Sequence, residues 1–174
     1  MQSQNYSLPE LEQLEDEALL EYFNTVESDS IQGEQVARVY FDRAKKEGDT
    51  IKMARGYDRL SRIFHPEKNI KFADSIIYLT KDLSNITYPG LGYLIKGYFY
   101  QKSGNLMLAT ENYLLLYNIS VEKENIVHQL YALHSLIKLK LAWGNKEEAL
   151  SLQHKRNKLL QNKNIIQLIE NSAR

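Results

Sequence analysis

Apolar and polar positions recur along the chain with the three-to-four-residue period of amphipathic helices. After a polar start at residues 1–7, which reads as a frayed end, Leu8-Pro9-Glu10 opens a first helix. Proline suits a first turn there, and Glu10, Glu12, Glu15 and Asp16 favour its positive end. Leu11, Leu14, Leu19 and Tyr22 carry that helix to about residue 24, before Ser28-Asp29-Ser30 breaks the pattern. The spacing predicts a second helix over 31–47, with Val36, Ala37, Tyr40, Phe41 and Ala44 on one face. Gly48 caps it, and Asp49 or Thr50 starts a third over 50–64, carrying Ala54, Tyr57, Leu60 and Phe64. His65-Pro66 closes that helix, because the residue before proline is pushed out of helical geometry. Residues 69–83 form the next, with Phe72, Ala73, Ile76, Ile77 and Leu79. After a connector at 85–89 and the stretch 90–121, the segments 125–143 and 146–161 pair across Gly144-Asn145, and 165–170 reads as a short closing helix. There is no strand pattern.

Residues 90–121 organise the rest. They read as two helices joined at Ser103-Gly104-Asn105, with Gly104 in the left-handed conformation that ends the first. Gly97 is expected to let a neighbouring backbone come close, and Ala109 to do the same on the second helix. Tyr93, Tyr100 and Tyr113 would fill the space around them. Counting Gly90 as position one, aromatic, Gly, Tyr, Gly, Ala and aromatic fall at positions 4, 8, 11, 15, 20 and 24. That pattern resembles a tetratricopeptide repeat. It departs at Lys96 and Leu116, where leucine and alanine are usual, and at Val121, where proline is usual.

Ala73 and Ala149 occupy the position of Ala109 about 36 residues upstream and about 40 downstream, with Ala37 about 36 before Ala73. One such unit has no way to bury its own apolar face, so neighbours of similar length are required. The resemblance implies an all-α fold, a right-handed superhelical solenoid of about four antiparallel helix pairs. As one domain over 1–174, its repeats would span about 10–49, 50–87, 88–122 and 123–162, with 163–174 a cap or the start of a further helix. The last repeat diverges most: Leu133, Leu136, Ala149 and the Gly144 turn match, but Ile137, Lys140 and Arg156 do not.

Composition narrows the classes. In 174 residues, Lys plus Arg and Asp plus Glu both number 22, so the net charge is zero. Direct binding of nucleic acid through bulk charge is disfavoured, although a local basic face stays open. With 43% hydrophobic and 25% charged residues the chain is globular rather than disordered. Twelve tyrosines exceed what a plain bundle needs. There is no cysteine, which excludes disulfides and cysteine-ligated metals and suits cytosol and periplasm alike. The cytosol is favoured, with a periplasmic sensor fragment as the alternative. No apolar run approaches a membrane span.

The motifs that carry chemistry are few. Tyr57 to Asn69, YDRLSRIFHPEKN, resembles the His-Pro-Asp region of a J-domain, which would imply an Hsp70 partner. Glu67 stands where aspartate is expected, and the upstream J-domain helix is not evident in residues 30–50. The plainer reading is a helix stopped by proline. Histidines 65, 128, 134 and 154 lack the i, i+4 spacing of metal ligands on a helix. No phosphate loop or nucleophile elbow is present, and Glu147-Glu148 suits a helix start. The expectation is no enzyme, no cofactor and no metal.

In tetratricopeptide repeats the first helix of each pair lines the concave groove, chiefly through positions 2, 5, 9 and 12. Carried onto this chain, the resemblance implies Arg55, Asp58, Arg62 and His65 in one repeat. The next gives Leu91, Leu94, Tyr98 and Gln101 with Lys102 beside them; the last gives Tyr131, His134, Lys138 and Leu141. Basic groups beside tyrosines suit a peptide or small ligand with a carboxylate. The same residues also read as a solvated face of ordinary charges. The chaperone-binding carboxylate clamp of some relatives is not matched at Arg62, Tyr98 and Lys138 or at Asp58, Leu94 and His134.

The expected role is therefore non-catalytic binding of a protein, peptide or small ligand. ADSIIYLTKDL and YPGLGYLIKGYFYQKSGNLMLATENYL also resemble the repeat-containing sensor region of bacterial AraC-type helix-turn-helix regulators, over roughly residues 34–160. No DNA-binding helix pair is evident here, so the chain would be the sensor part alone. A self-associating scaffold, including a homodimer, is the alternative, with an apolar strip around Ile165, Ile166 and Ile169.

Overall fold

Asparagine or aspartate at the N-cap sets most of the helix boundaries, and in most cases a left-handed residue stands immediately before it. In the computed structural model, which describes residues 5–64 and 66–161, the side chains of Asp29, Asp49, Asn105, Asn125 and Asn145 each accept from a backbone N–H of the following first turn. Gly48, Gly104 and Gly144 precede three of these caps at φ 70, 80 and 74°. Glu124 precedes Asn125 at φ 55°, doing the same job with a side chain attached. All the secondary structure among the described residues is helical, and within each of two compact units most consecutive helices pack on one another. These units are Met1–Leu83 and Ser84–Arg174.

The first unit holds α1 (Leu8–Gln13), α2 (Asp16–Val26), α3 (Ser30–Glu47), α4 (Thr50–Ile63) and α5 (Pro66–Thr80). The single helix expected from Leu8 to about residue 24 is in fact two. Leu14, extended at φ −71° and ψ 143°, ends α1, and Glu15 begins α2. The cause lies far along the chain. Arg43 of α3 donates from Nη1 to the Leu14 carbonyl at 2.8 Å and from Nη2 to the Glu12 carbonyl at 3.1 Å. Two acceptors at the α1 end thus find a donor. The same guanidinium meets Asp16 Oδ1 at 2.9 Å, and Lys52 Nζ meets Asp16 Oδ2 at 2.7 Å. Burial pushes the Asp16 carboxyl up, but hydrogen bonds from Lys52 and Arg43 outweigh it and hold the group below the usual range.

The core of this unit is Leu11, Leu19, Phe23, Val26, Val36, Ala37, Tyr40 and Leu60. Each fully buried aliphatic side chain of this kind stabilises by about 1.5–3 kcal/mol. Phe41, Tyr57, Phe72 and Phe64 extend it as successive ring contacts of 4.5, 5.8 and 5.7 Å between centroids. The helix expected from residue 69 starts earlier, at Pro66, where a proline costs no hydrogen bond in the first turn.

The second unit holds α6 (Gly90–Lys102), α7 (Leu106–Glu122), α8 (Ile126–Ala142) and α9 (Lys146–Leu160). Three-residue turns join all four, so neighbours run antiparallel. Ala109, Tyr113, Leu116, Ala132, Leu136 and Leu139 form its core, flanked by Tyr93, Leu94 and Tyr100. Gly97 does not admit a backbone as expected. It admits the Tyr113 ring: a Cβ there would lie 2.6 Å from Tyr113 Cε1. α6 and α8 also touch each other, and a Cβ on Gly90 would lie 2.9 Å from His128 Nδ1. The closing helix expected at 165–170, with its apolar strip of isoleucines, lies outside the described residues.

Candidate functional site

In the first unit, α4 carries the expected groove residues Arg55, Asp58 and Arg62 at helical spacing. Arg55 is exposed. Asp58 is only 5% exposed, and its Oδ2 accepts from Arg59 Nη1 at 2.6 Å and from Arg62 Nη2 at 3.2 Å. Arg62 also reaches Glu27 Oε2 at 3.7 Å, and the Arg59 guanidinium lies over the Phe23 ring at 5.5 Å. Two guanidiniums thus face two carboxylates. Asp58 serves the interior of this unit rather than a surface.

His65 lies outside the described residues. Pro66 and Glu67 are the first two residues of α5, not members of an extended loop as the J-domain reading expects.

In the second unit, Tyr98 of α6 is 58% exposed and Lys102 Nζ lies over its ring at 5.5 Å. Leu94 is half-buried against the Ala109–Tyr113 cluster. Gln101 is half-buried too, and its Oε1 accepts from the Tyr113 hydroxyl at 2.8 Å. On α8, Tyr131 is 55% exposed, and His134 and Lys138 are exposed along the same stripe.

α6 and α8 touch each other, and a residue of α7 lies beside both. The Tyr113 hydroxyl donates to Gln101 of α6, and Ser135 of α8 and Tyr98 of α6 belong to its surroundings. Burial pushes the Tyr113 hydroxyl up from its ordinary value. Ser135 sits one turn from Tyr131, beside His134 and just under one turn from Lys138. Tyr98, Lys102, Tyr131, His134 and Lys138 therefore belong to adjoining exposed stripes of α6 and α8.

Neither Tyr113 nor Ser135 was evident as a site residue in the sequence. Tyr113 carries a signal in hindsight, since it stands twelve residues from Gln101 across the Gly104 turn. Arg156 of α9 is a third addition. Burial first, then the positive charges of Lys138 and Arg156, hold His134 below the ordinary histidine value.

Charge is divided between these helices. Neither α6 nor α8 contains Asp or Glu, whereas α7 carries Glu111 and Glu122 and no Lys or Arg. Lys140, near the end of α8, is paired with Glu148 and lies 5.6 Å from the Trp143 ring centroid. Among the described residues no group of three His, Cys, Asp or Glu side chains could hold a metal ion. No described helix is long and apolar enough to cross a membrane. The sequence matches no protein-family model and no curated protein.

Proposed function

We propose that this chain is a non-catalytic binding module of tetratricopeptide type, which takes up a protein, peptide or small ligand on the face formed by the first helices of its pairs. In this reading the four helix pairs stack as a right-handed superhelical solenoid. The observation that carries it is the contact between α6 and α8, whose exposed stripes offer Tyr98, Tyr131, His134 and Lys138 to a ligand. Aromatic rings with polar tips beside flexible cations are what peptide-binding surfaces use. The sensor part of a bacterial AraC-type regulator is the narrower version, resting on the sequence resemblance alone.

The test is thermal unfolding of the chain against a library of peptides and small acids, with Tyr98→Ala and Tyr131→Ala in parallel. A ligand that binds only the folded state stabilises by about 2.7 kcal/mol at a hundredfold excess over its Kd. A rise in Tm that disappears in both variants supports the module. A rise that both variants keep moves the site elsewhere. No rise with any compound, together with stability that depends on protein concentration, favours the second reading. That reading is a self-associating scaffold, for which the exposed Met107, Leu114 and Val121 of α7 supply an apolar strip.

A further inference from the structure

Two lysines of the α6–α8 face lack counter-charges among the described residues. Lys102 and Lys138 make no ion pair among the described residues, whereas Lys140, on the same helix as Lys138, is neutralised by Glu148. The carboxylates of α7 do not supply the balance: Glu111 and Glu122 are exposed on the helix that buries Tyr113 and Leu116 on its other side. Two exposed tyrosines stand on the same face, and Leu141, 54% exposed, continues the α8 stripe.

We infer that the α6–α8 face, if it is the binding surface of the module, takes an acidic polypeptide segment. Its carboxylates meet Lys102 and Lys138, and its apolar side chains lie on Tyr98 and Tyr131. Charge complementarity selects the sign of the partner, and the tyrosines and Leu141 select a polypeptide with apolar side chains. Phosphate polymers are the other anionic class. Their affinity comes from many neutralised phosphates, and a face with two such cations in a chain of zero net charge offers few. Packed helices lie about 8–10 Å apart, a span that roughly three residues of extended chain cover. The partner is therefore expected to carry acidic residues separated by about that interval.

The experiment is fluorescence anisotropy with a short labelled peptide in which glutamates alternate with pairs of apolar residues. The same peptide with glutamine for each glutamate, and a short oligothymidylate, are the comparisons. The expected result is binding of the glutamate peptide that is roughly tenfold or more tighter than the glutamine peptide and weakens with added salt. Lys138→Glu and Lys102→Glu should each lower it by a similar factor. Both residues are exposed, so their variants should melt with the parent, and the milder Lys138→Gln should give an intermediate loss. Equal binding of both peptides, or charge reversals without effect, overturns the inference while leaving the binding module standing. Tighter binding of oligothymidylate overturns it in favour of nucleic acid. No binding of any of the three also overturns it, and the ligand library then decides separately whether the chain is a binding module at all.

Discussion

The Tyr113 ring occupies the space that a side chain on Gly97 would need. A Cβ at Gly97 would stand 2.6 Å from Cε1 and 2.8 Å from Cδ1 of that ring. Tyr113 is 1% exposed and holds Gln101 through its hydroxyl, so the ring has nowhere to go. Alanine at 97 would gain about 0.5–1 kcal/mol in helix propensity and lose about 1–3 kcal/mol to overpacking. Gly97→Ala is expected to destabilise on balance, read as a lower denaturant midpoint with an unchanged slope. A rise in midpoint would mean that α6 and α7 slide apart without cost.

Glu124 calls for the opposite change. Its N–H donates to the Val121 carbonyl and that of Asn125 to the Ser120 carbonyl. Gly144 and Asn145 repeat this pattern with Leu141 and Lys140. Only the side chain differs, and a side chain in the left-handed region costs roughly 1 kcal/mol. Glu124→Gly should therefore stabilise by about that amount, whereas Gly144→Ala should destabilise by a similar amount. Paired chemical denaturation curves would show it. A neutral Glu124→Gly would indicate that Glu124 adopts this turn in the unfolded chain as well.

His128 should make stability depend on pH. It is buried, its Nδ1 has no hydrogen-bond partner among the described residues, and burial lowers its pKa from the ordinary 6.5. The folded state therefore resists protonation more than the unfolded state does. Stability is fully present above about pH 6.5, and it is lost as pH falls from there through the lower folded value. His134, also lowered, adds a slope of the same sign from an exposed site. Denaturation midpoints of the parent and of His128→Leu between neutral and mildly acidic pH separate the two. The variant should lose part of the acid sensitivity. If both lines fall in parallel, His128 is not the group responsible.

Much of the helix order was legible because local turn chemistry wrote it. Gly48-Asp49, Gly104-Asn105 and Gly144-Asn145 each end one helix and cap the next within two residues. The breaks that escaped notice depend on partners distant in sequence. Nothing between Leu8 and Asn24 announces the α1–α2 junction, because the donor that satisfies its carbonyls is Arg43. Asp58 looked like a surface acid between arginines, and those same arginines are what allow it to be buried. Gln101 faced the expected side, but it spends its acceptor on Tyr113. Spacing places a residue on a stripe, and only the packed neighbour decides whether its polar atoms are still available.

The three-residue turns of the second unit also bear on how it forms. Each antiparallel pairing from α6 to α9 is between segments adjacent in the chain, so little loop entropy is lost before apolar contact begins. Structures of such low contact order fold fast, on the microsecond-to-millisecond scale. No pairing waits on a distant segment, so any of the three hairpins can serve as the starting point. Asn125 is the exception that adds reach: besides capping α8, it donates to the Ile86 carbonyl 39 residues earlier. That one bond pins the entry strap of the unit to the start of α8, and it forms only after both intervening helices are in place.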